Sequence, residues 1–100
     1  MKNIIQQLNK AFDNKVRLGV MAALMVNSNL SFNNLKELLE LTDGNLASHL
    51  KALEKSGYIS VNKSFIGRKP NTKYKITSAG KEAFNIHLKA LESIINKNKQ

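Results

Sequence analysis

The apolar residues change their spacing at Gly57, and this switch limits the possible folds more than any other feature of the chain. Before Gly57 they recur at the roughly 3.6-residue period of helices; from Tyr58 to Ile76 they alternate at the period of about 2 that a half-buried strand requires. A helical period returns near Ser78. The order is therefore helices, one hairpin, and a last helix.

Within that order the element ends carry their own signals. Ile4, Ile5, Leu8 and Phe12, followed by Asp13 and Asn14, predict one short amphipathic helix over Met1 to Phe12. Val16, Val20, Ala23, Leu24 and Met25 predict a second, ending near Asn27 to Asn29. Ser31 can cap a third, with Leu35, Leu38 and Leu39 inward and a stop around Leu41. Thr42 caps a fourth by accepting from the backbone N–H of Asn45, with Asp43 at the positive end of the helix dipole and Gly57 as its left-handed stop. Tyr58, Ile59, Val61 and Phe65 read as an outgoing strand, Gly67 to Asn71 ("GRKPN") as the loop, and Thr72, Tyr74 and Ile76 as the antiparallel return. Thr77 or Ser78 caps the last helix, where Phe84, Leu88, Leu91 and Ile95 form the stripe. The expectation is a mostly helical α+β fold, one domain over residues 1–100, carrying a two-stranded hairpin.

One hundred residues bury only roughly 60 to 68% of the surface the unfolded chain exposes, so the core is modest. There is no cysteine, which excludes disulfides, thiolate metal sites and redox-sensing thiols. The longest apolar run, Gly19 to Val26, is far short of the ~20 residues of a membrane span, and the N-terminus has no signal-sequence pattern. A soluble, cytoplasmic protein without a membrane partner is expected.

The net charge is +9, from sixteen Lys and Arg against seven Asp and Glu. Such an excess favours an anionic partner. It is also localised: Val61 to Lys75 holds Lys63, Arg68, Lys69, Lys73 and Lys75 and no acid, whereas Glu37, Glu40, Asp43 and Glu54 lie in the preceding helices. Lys97 and Lys99, in the polar tail, read as ordinary solubilising residues.

The fourth helix has an unusual outward face. With Leu46 at zero on a wheel of about 100° per residue, Leu50 and Leu53 fall beside it as the buried stripe, opposite Gly44, Ser48, Lys51 and Lys55, with Asn45 and Ala52 on one shoulder. Small residues there permit close approach to another rigid body. The third and fourth helices form a helix-turn-helix, whose second member lies in the DNA major groove and reads base edges with its first turns. Asn45 can pair with the N6 and N7 of adenine, a contact worth roughly 1 to 3 kcal/mol of discrimination.

The strings "LTDGNLASHLKALEKSGYISV" and "GRKPNTKYKITSAGKEAF", and within them "GNLxxHLxxLExxGYI" and "YxxTxxG", resemble the winged helix-turn-helix regulators of the MarR and ArsR type, over about Asn14 to Leu91. The resemblance implies a homodimeric transcriptional regulator, usually a repressor, on a palindromic operator in double-stranded DNA. The cysteines of redox-sensing and many metal-sensing relatives are absent. Under this reading the DNA-binding residues are Arg17, Thr42, Gly44, Asn45, Ser48, His49, Lys51, Lys55, Lys63, Arg68, Lys69, Asn71 and Lys73. The hairpin, or wing, then lies along phosphates or in a narrow minor groove, where Arg is attracted by the enhanced negative potential. A solvated charged turn is the plainer account of its cations. Arg17 can reach a phosphate or pair with an acid of the third helix, and His49 can be a packed histidine or a DNA contact.

The terminal segments, residues 1–12 and 78–96, carry more apolar surface than a small core hides. Ile4, Ile5, Leu8 and Phe12 at one end and Phe84, His87, Leu88, Leu91, Ile94 and Ile95 at the other could fold back on their own subunit; the preferred expectation is that they form the interface of a symmetric homodimer, which would place two half-sites ~34 Å apart. His87 reads as an interface histidine rather than a ligand, since two isolated histidines without cysteine make no zinc site by spacing. No metal or cofactor is expected. Nor is an enzyme, because no phosphate-binding glycine loop, apolar carboxylate pair or activated nucleophile is present. The rival reading is a winged-helix assembly module that docks its bare face on a protein, since fold alone does not specify function.

Overall fold

The computed structural model describes residues 3–97. Residues 1 and 2 of the expected first helix, and residues 98–100 of the tail with Lys99, lie outside the described residues. The elements are α1 (Lys15–Val26), β1 (Leu30–Ser31), α2 (Phe32–Leu39), α3 (Asp43–Lys55), β2 (Ile59–Ile66), β3 (Lys69–Ile76) and α4 (Ser78–Lys97).

The N-terminal segment differs from the expected single helix. It forms two 3-10 turns, Ile4–Gln7 and Lys10–Phe12, because Asn3 and Asn9 stay extended and their side chains accept from the N–H groups of Ile5 and Ala11. Side-chain acceptors that bond two residues ahead compete with a continuous helix. Asn14 performs the same service for α1, accepting from the N–H groups of Val16 and Arg17.

α1 is the hub. Its Val20 and Met21 are fully buried against Leu35 of α2 and Leu46 and Leu53 of α3, in a cluster completed by Ile59 and Ile76 of the sheet and Phe84 of α4. α2 begins at Ser31, whose hydroxyl accepts from the N–H of Asn34 while Asn34 returns the favour to the N–H of Ser31. It ends one residue after Leu39, where Glu40 takes the left-handed conformation (φ 53°, ψ 54°). Leu38, expected inward, is exposed instead. Leu35 alone on this eight-residue helix is buried, because the helix meets α1 along a single narrow seam.

The hairpin gains a third strand. β1 pairs antiparallel with β3, Leu30 opposite Tyr74 and Ser31 opposite Lys73, giving the strand order β1-β3-β2. A two-residue strand carries almost no period, which hid it in the sequence. The loop is also tighter than "GRKPN": Ile66 still pairs with Lys69, so only Gly67 and Arg68 form the turn. Gly67 has φ +64° and Arg68 does not share that sign, the pattern of a type II′ turn with glycine at its first central position.

The "YxxTxxG" string ties the sheet to α4. The Thr77 hydroxyl donates to the Gly57 carbonyl at 2.7 Å and accepts from the Gly80 N–H at 3.0 Å, while the Thr77 N–H donates to the Tyr58 carbonyl at 3.0 Å. Gly80 must lack a side chain: a Cβ there would overlap the Tyr58 carbonyl oxygen and stand 2.9 Å from its carbon.

Three residues expected at a subunit interface lie in the chain's own core. Phe12, Phe84 and His87 are 3%, 5% and 6% exposed. Phe12 packs edge-on to Phe84 and His87, with ring centroids 5.5 and 5.2 Å away, and His87 Nδ1 accepts from the Asn9 N–H at 2.9 Å. The N-terminal turns fold back on α4 and bury them. Ile4, Leu8 and Ile94 are half-buried, whereas Ile5, Leu88, Leu91 and Ile95 remain exposed. α4 and the hairpin project from the body, giving extents of 58 × 25 × 21 Å.

Candidate nucleic-acid interface

α3 is set by its two ends and one stripe. The Thr42 hydroxyl accepts from the Asn45 N–H at 3.3 Å, and Asp43 occupies the first turn. Asp43 also meets the ammonium of Lys36 at 2.7 Å across the turn. Both side chains are well exposed, so this pair contributes at most about 1 kcal/mol. Leu46, Leu50 and Leu53 are buried, which leaves Gly44, Asn45, Ala47, Ser48, Lys51, Ala52, Glu54 and Lys55 exposed.

The outward face is as bare as its residue types suggest. Among the described residues, nothing lies within 4 Å of a Cβ placed on Gly44. The Ser48 hydroxyl donates back to the Asn45 carbonyl at 3.3 Å, which leaves its lone pairs free to accept. Such an exposed bond within the helix is readily exchanged.

The wing stands beside one shoulder of α3. Between them runs an open groove of about 420 Å³, lined by Gly44, Ser48, Lys51 and Glu54 on the helix and by Val61, Lys63 and Tyr74 on the sheet. Of these, Glu54, Val61 and Tyr74, together with Ala47 beside them, are absent from the sequence-based set. Ala47 and Glu54 fall roughly 80 to 100° from Leu46 on the wheel, so their exposure was legible. That the hairpin would come to that shoulder, and not to the Asn45 side, was not. Burial, and after it the nearby Glu54 carboxylate, push the Tyr74 phenol above its usual pKa of 10.0, so it remains a hydrogen-bond donor.

The wing's cations do not share one face. Side chains alternate along a strand, and the register pairs Val61 with Tyr74, Lys63 with Thr72 and Phe65 with Pro70 on the α3 side. Lys69, Asn71, Lys73 and Lys75 fall on the opposite side and Arg68 at the turn. Of the wing residues expected to contact DNA, only Lys63 lines the groove.

Arg17 and His49 are turned toward each other. The Arg17 Nε donates to the Ala11 carbonyl at 2.6 Å and its Nη1 lies 3.1 Å from His49 Nδ1. A guanidinium only donates, so in this contact Nδ1 is the accepting atom. Of the two sequence-based alternatives for Arg17, the ion pair with an acid of α2 is not formed; the guanidinium instead places two of its nitrogens on the Ala11 carbonyl and on His49. The pair fixes α3 on α1 and on the segment before it.

Among the described residues, no helix is long and apolar enough to cross a membrane, and no three His, Cys, Asp or Glu side chains gather as a metal-binding group.

Comparison with known proteins agrees with this geometry. An uncharacterized protein of Methanocaldococcus jannaschii is 43% identical over 79 residues, covering 79% of this chain and 86% of that protein. The solved structure of a transcriptional regulator homologue from Pyrococcus horikoshii superposes with a TM-score of 0.86 at 32% identity, covering 97% of this chain and 94% of the other. Bacillus subtilis PadR, solved in complex with operator DNA, shares the fold with a TM-score of 0.67 at 18% identity, over 75% of this chain and 48% of its own. The family model described as winged helix DNA-binding domain matches residues 16–95, from the hub helix through the helix-turn-helix and wing to the far end of α4, and the chain belongs to that family.

Proposed function

We propose that the chain is a sequence-specific transcriptional regulator that binds a palindromic operator as a homodimer and represses. The observation that carries the reading is the exposed, sparsely substituted face of α3 beside a groove flanked by Lys51 and Lys63. In this arrangement α3 enters the major groove. Asn45 and Ser48 meet base edges, Thr42 and Gly44 allow close approach of the first turn, and Lys51, Lys55 and Lys63 neutralise the strand that runs between helix and wing. Arg68, Lys69, Asn71 and Lys73 serve the adjacent minor groove. Arg17 and His49 orient α3 and make no base contact. The exposed Ile5, Leu88, Leu91 and Ile95 supply the two-fold contact, with Ile4, Leu8 and Ile94 at its margin. Repression rests on the resemblance to MarR- and ArsR-type regulators; double-stranded DNA as partner is supported by family membership and by the operator-bound relative.

Fluorescence titration against genomic fragments tests the proposal. Binding should be sequence-dependent and weaken with salt, each neutralised phosphate contributing about 0.9 to the log–log slope. Asn45→Ala should flatten the preference among sequences, whereas Arg68→Ala should weaken all of them nearly equally. Salt-independent binding, or none, would return the bare face to the rival reading of a protein-docking surface, which a pull-down after nuclease treatment detects.

A further inference from the structure

The outer part of the wing, residues 62–70, is exposed among the described residues. It is rooted by the buried pair of Ile59 and Ile76 and stays in register to Ile66 and Lys69. From Ile59 to Ile66 the strand runs roughly 23 Å at about 3.3 Å per residue. At its end stand two large apolar side chains, Phe65 and Ile66, 72% and 69% exposed. Alternation puts them on opposite faces, and Pro70 across from Phe65 extends the apolar surface.

Single exposed apolar residues are ordinary. Two in succession at the tip of the hairpin, inside the acid-free segment from Val61 to Lys75, are a combination that limits the partner. An apolar protein surface would also have to bring acids for Lys63, Arg68 and Lys69. A minor groove offers phosphates along both walls and apolar sugar edges between them. Its size adds a requirement: the groove is about 6 Å wide, and a sheet with side chains on both faces is about 10 Å thick. The tip therefore enters only where the groove opens, and apolar side chains set against a partly unstacked base step stabilise the opened form.

We infer that Phe65 and Ile66 form an apolar wedge that opens the minor groove at a flexible pyrimidine–purine step beside the site α3 reads, bending the duplex. This deepens the DNA-binding reading above and rests on it. Wedge insertion also makes the spacing between that step and the α3 site a determinant of specificity, without any base hydrogen bond from the wing.

The test uses the full chain and duplexes that the wild-type protein enriches from a randomised library, labelled with 2-aminopurine at each pyrimidine–purine step and with a donor and acceptor dye at the ends. Wild-type protein should raise the 2-aminopurine signal at one step and shorten the end-to-end distance. The double variant Phe65→Ala, Ile66→Ala should keep its circular dichroism spectrum, still bind, and lose both signals; Phe65→Leu should retain part of them. Enrichment without unstacking in the wild type, or unstacking unchanged in the double variant, overturns the wedge and leaves the regulator reading standing. Failure to enrich any sequence overturns both. A dimer that dissociates in the double variant assigns the tip to a protein contact and also overturns the wedge.

Discussion

Substituting Gly80 by alanine isolates the junction that holds the wing on α4. Helix propensity alone forecasts a gain of up to about 1 kcal/mol, since Gly80 lies in the first turn of a 20-residue helix. The structure reverses the sign. An added Cβ would overlap the Tyr58 carbonyl oxygen and stand 2.9 Å from that carbonyl carbon and 3.0 Å from Ile76 Cγ1. Two of these atoms are backbone, held by the bond from the Thr77 N–H and by the start of β2, so no rotamer change relieves them. Restoring a carbon–oxygen separation of roughly 3.3 Å requires α4 to withdraw by about 1 Å, which strains the Gly80 to Thr77 bond and the packing of Phe84 on Phe12. Overpacking of this kind costs typically 1–3 kcal/mol and occasionally more; with an immobile backbone oxygen the expected loss is about 3 kcal/mol. For a domain of this size that lowers Tm by about 12 to 24 °C. Urea and thermal unfolding followed by far-UV circular dichroism, at one fixed protein concentration, measure it. Gly44→Ala, in the first turn of α3 with open space around it, is the control and should leave stability unchanged or raise it by up to about 1 kcal/mol. A Gly80→Ala protein as stable as wild type would refute the claim that close backbone approach explains this glycine.

Other consequences follow from the groove and the projecting helix. In the proposed complex Glu54→Gln removes an anion from the groove wall that would face phosphate, so affinity for unrelated duplexes should rise at low salt; unchanged affinity in an anisotropy titration would place Glu54 away from the backbone. Because the folded-state pKa of Tyr74 is raised above 10.0, its contribution to stability is complete below that pH and is lost as pH rises through and beyond it. Tyr74→Phe should therefore lose less stability than wild type between neutral pH and the region above about 10, read from urea midpoints; identical slopes would contradict the assignment. Replacing Leu91 and Ile95 with lysine should yield a monomer in sedimentation without loss of helix signal, since both side chains are exposed; a persistent dimer would move the two-fold elsewhere.

Much of this protein was written in local patterns. The stripe of Leu46, Leu50 and Leu53, the caps at Ser31 and Thr42 and the left-handed Gly57 each depend on residues within one or two turns, so the sequence alone determined the helix-turn-helix, the hairpin and the small-residue face of α3. Its acid-free run likewise marked the wing as cationic. What tertiary structure decided involves contacts between distant positions. The return of the N-terminal turns onto α4 took Phe12, Phe84 and His87 out of the apolar stripe and into the core, leaving a narrower exposed strip. The approach of the hairpin to one shoulder of α3 selected Lys63 and Tyr74 for the groove and sent Lys69, Asn71 and Lys73 to the far face. Arg17 found His49 rather than an acid because α1 and α3 cross there. Periodicity reports which side of an element is apolar; which neighbour covers that side is settled by packing, and packing has no local signature.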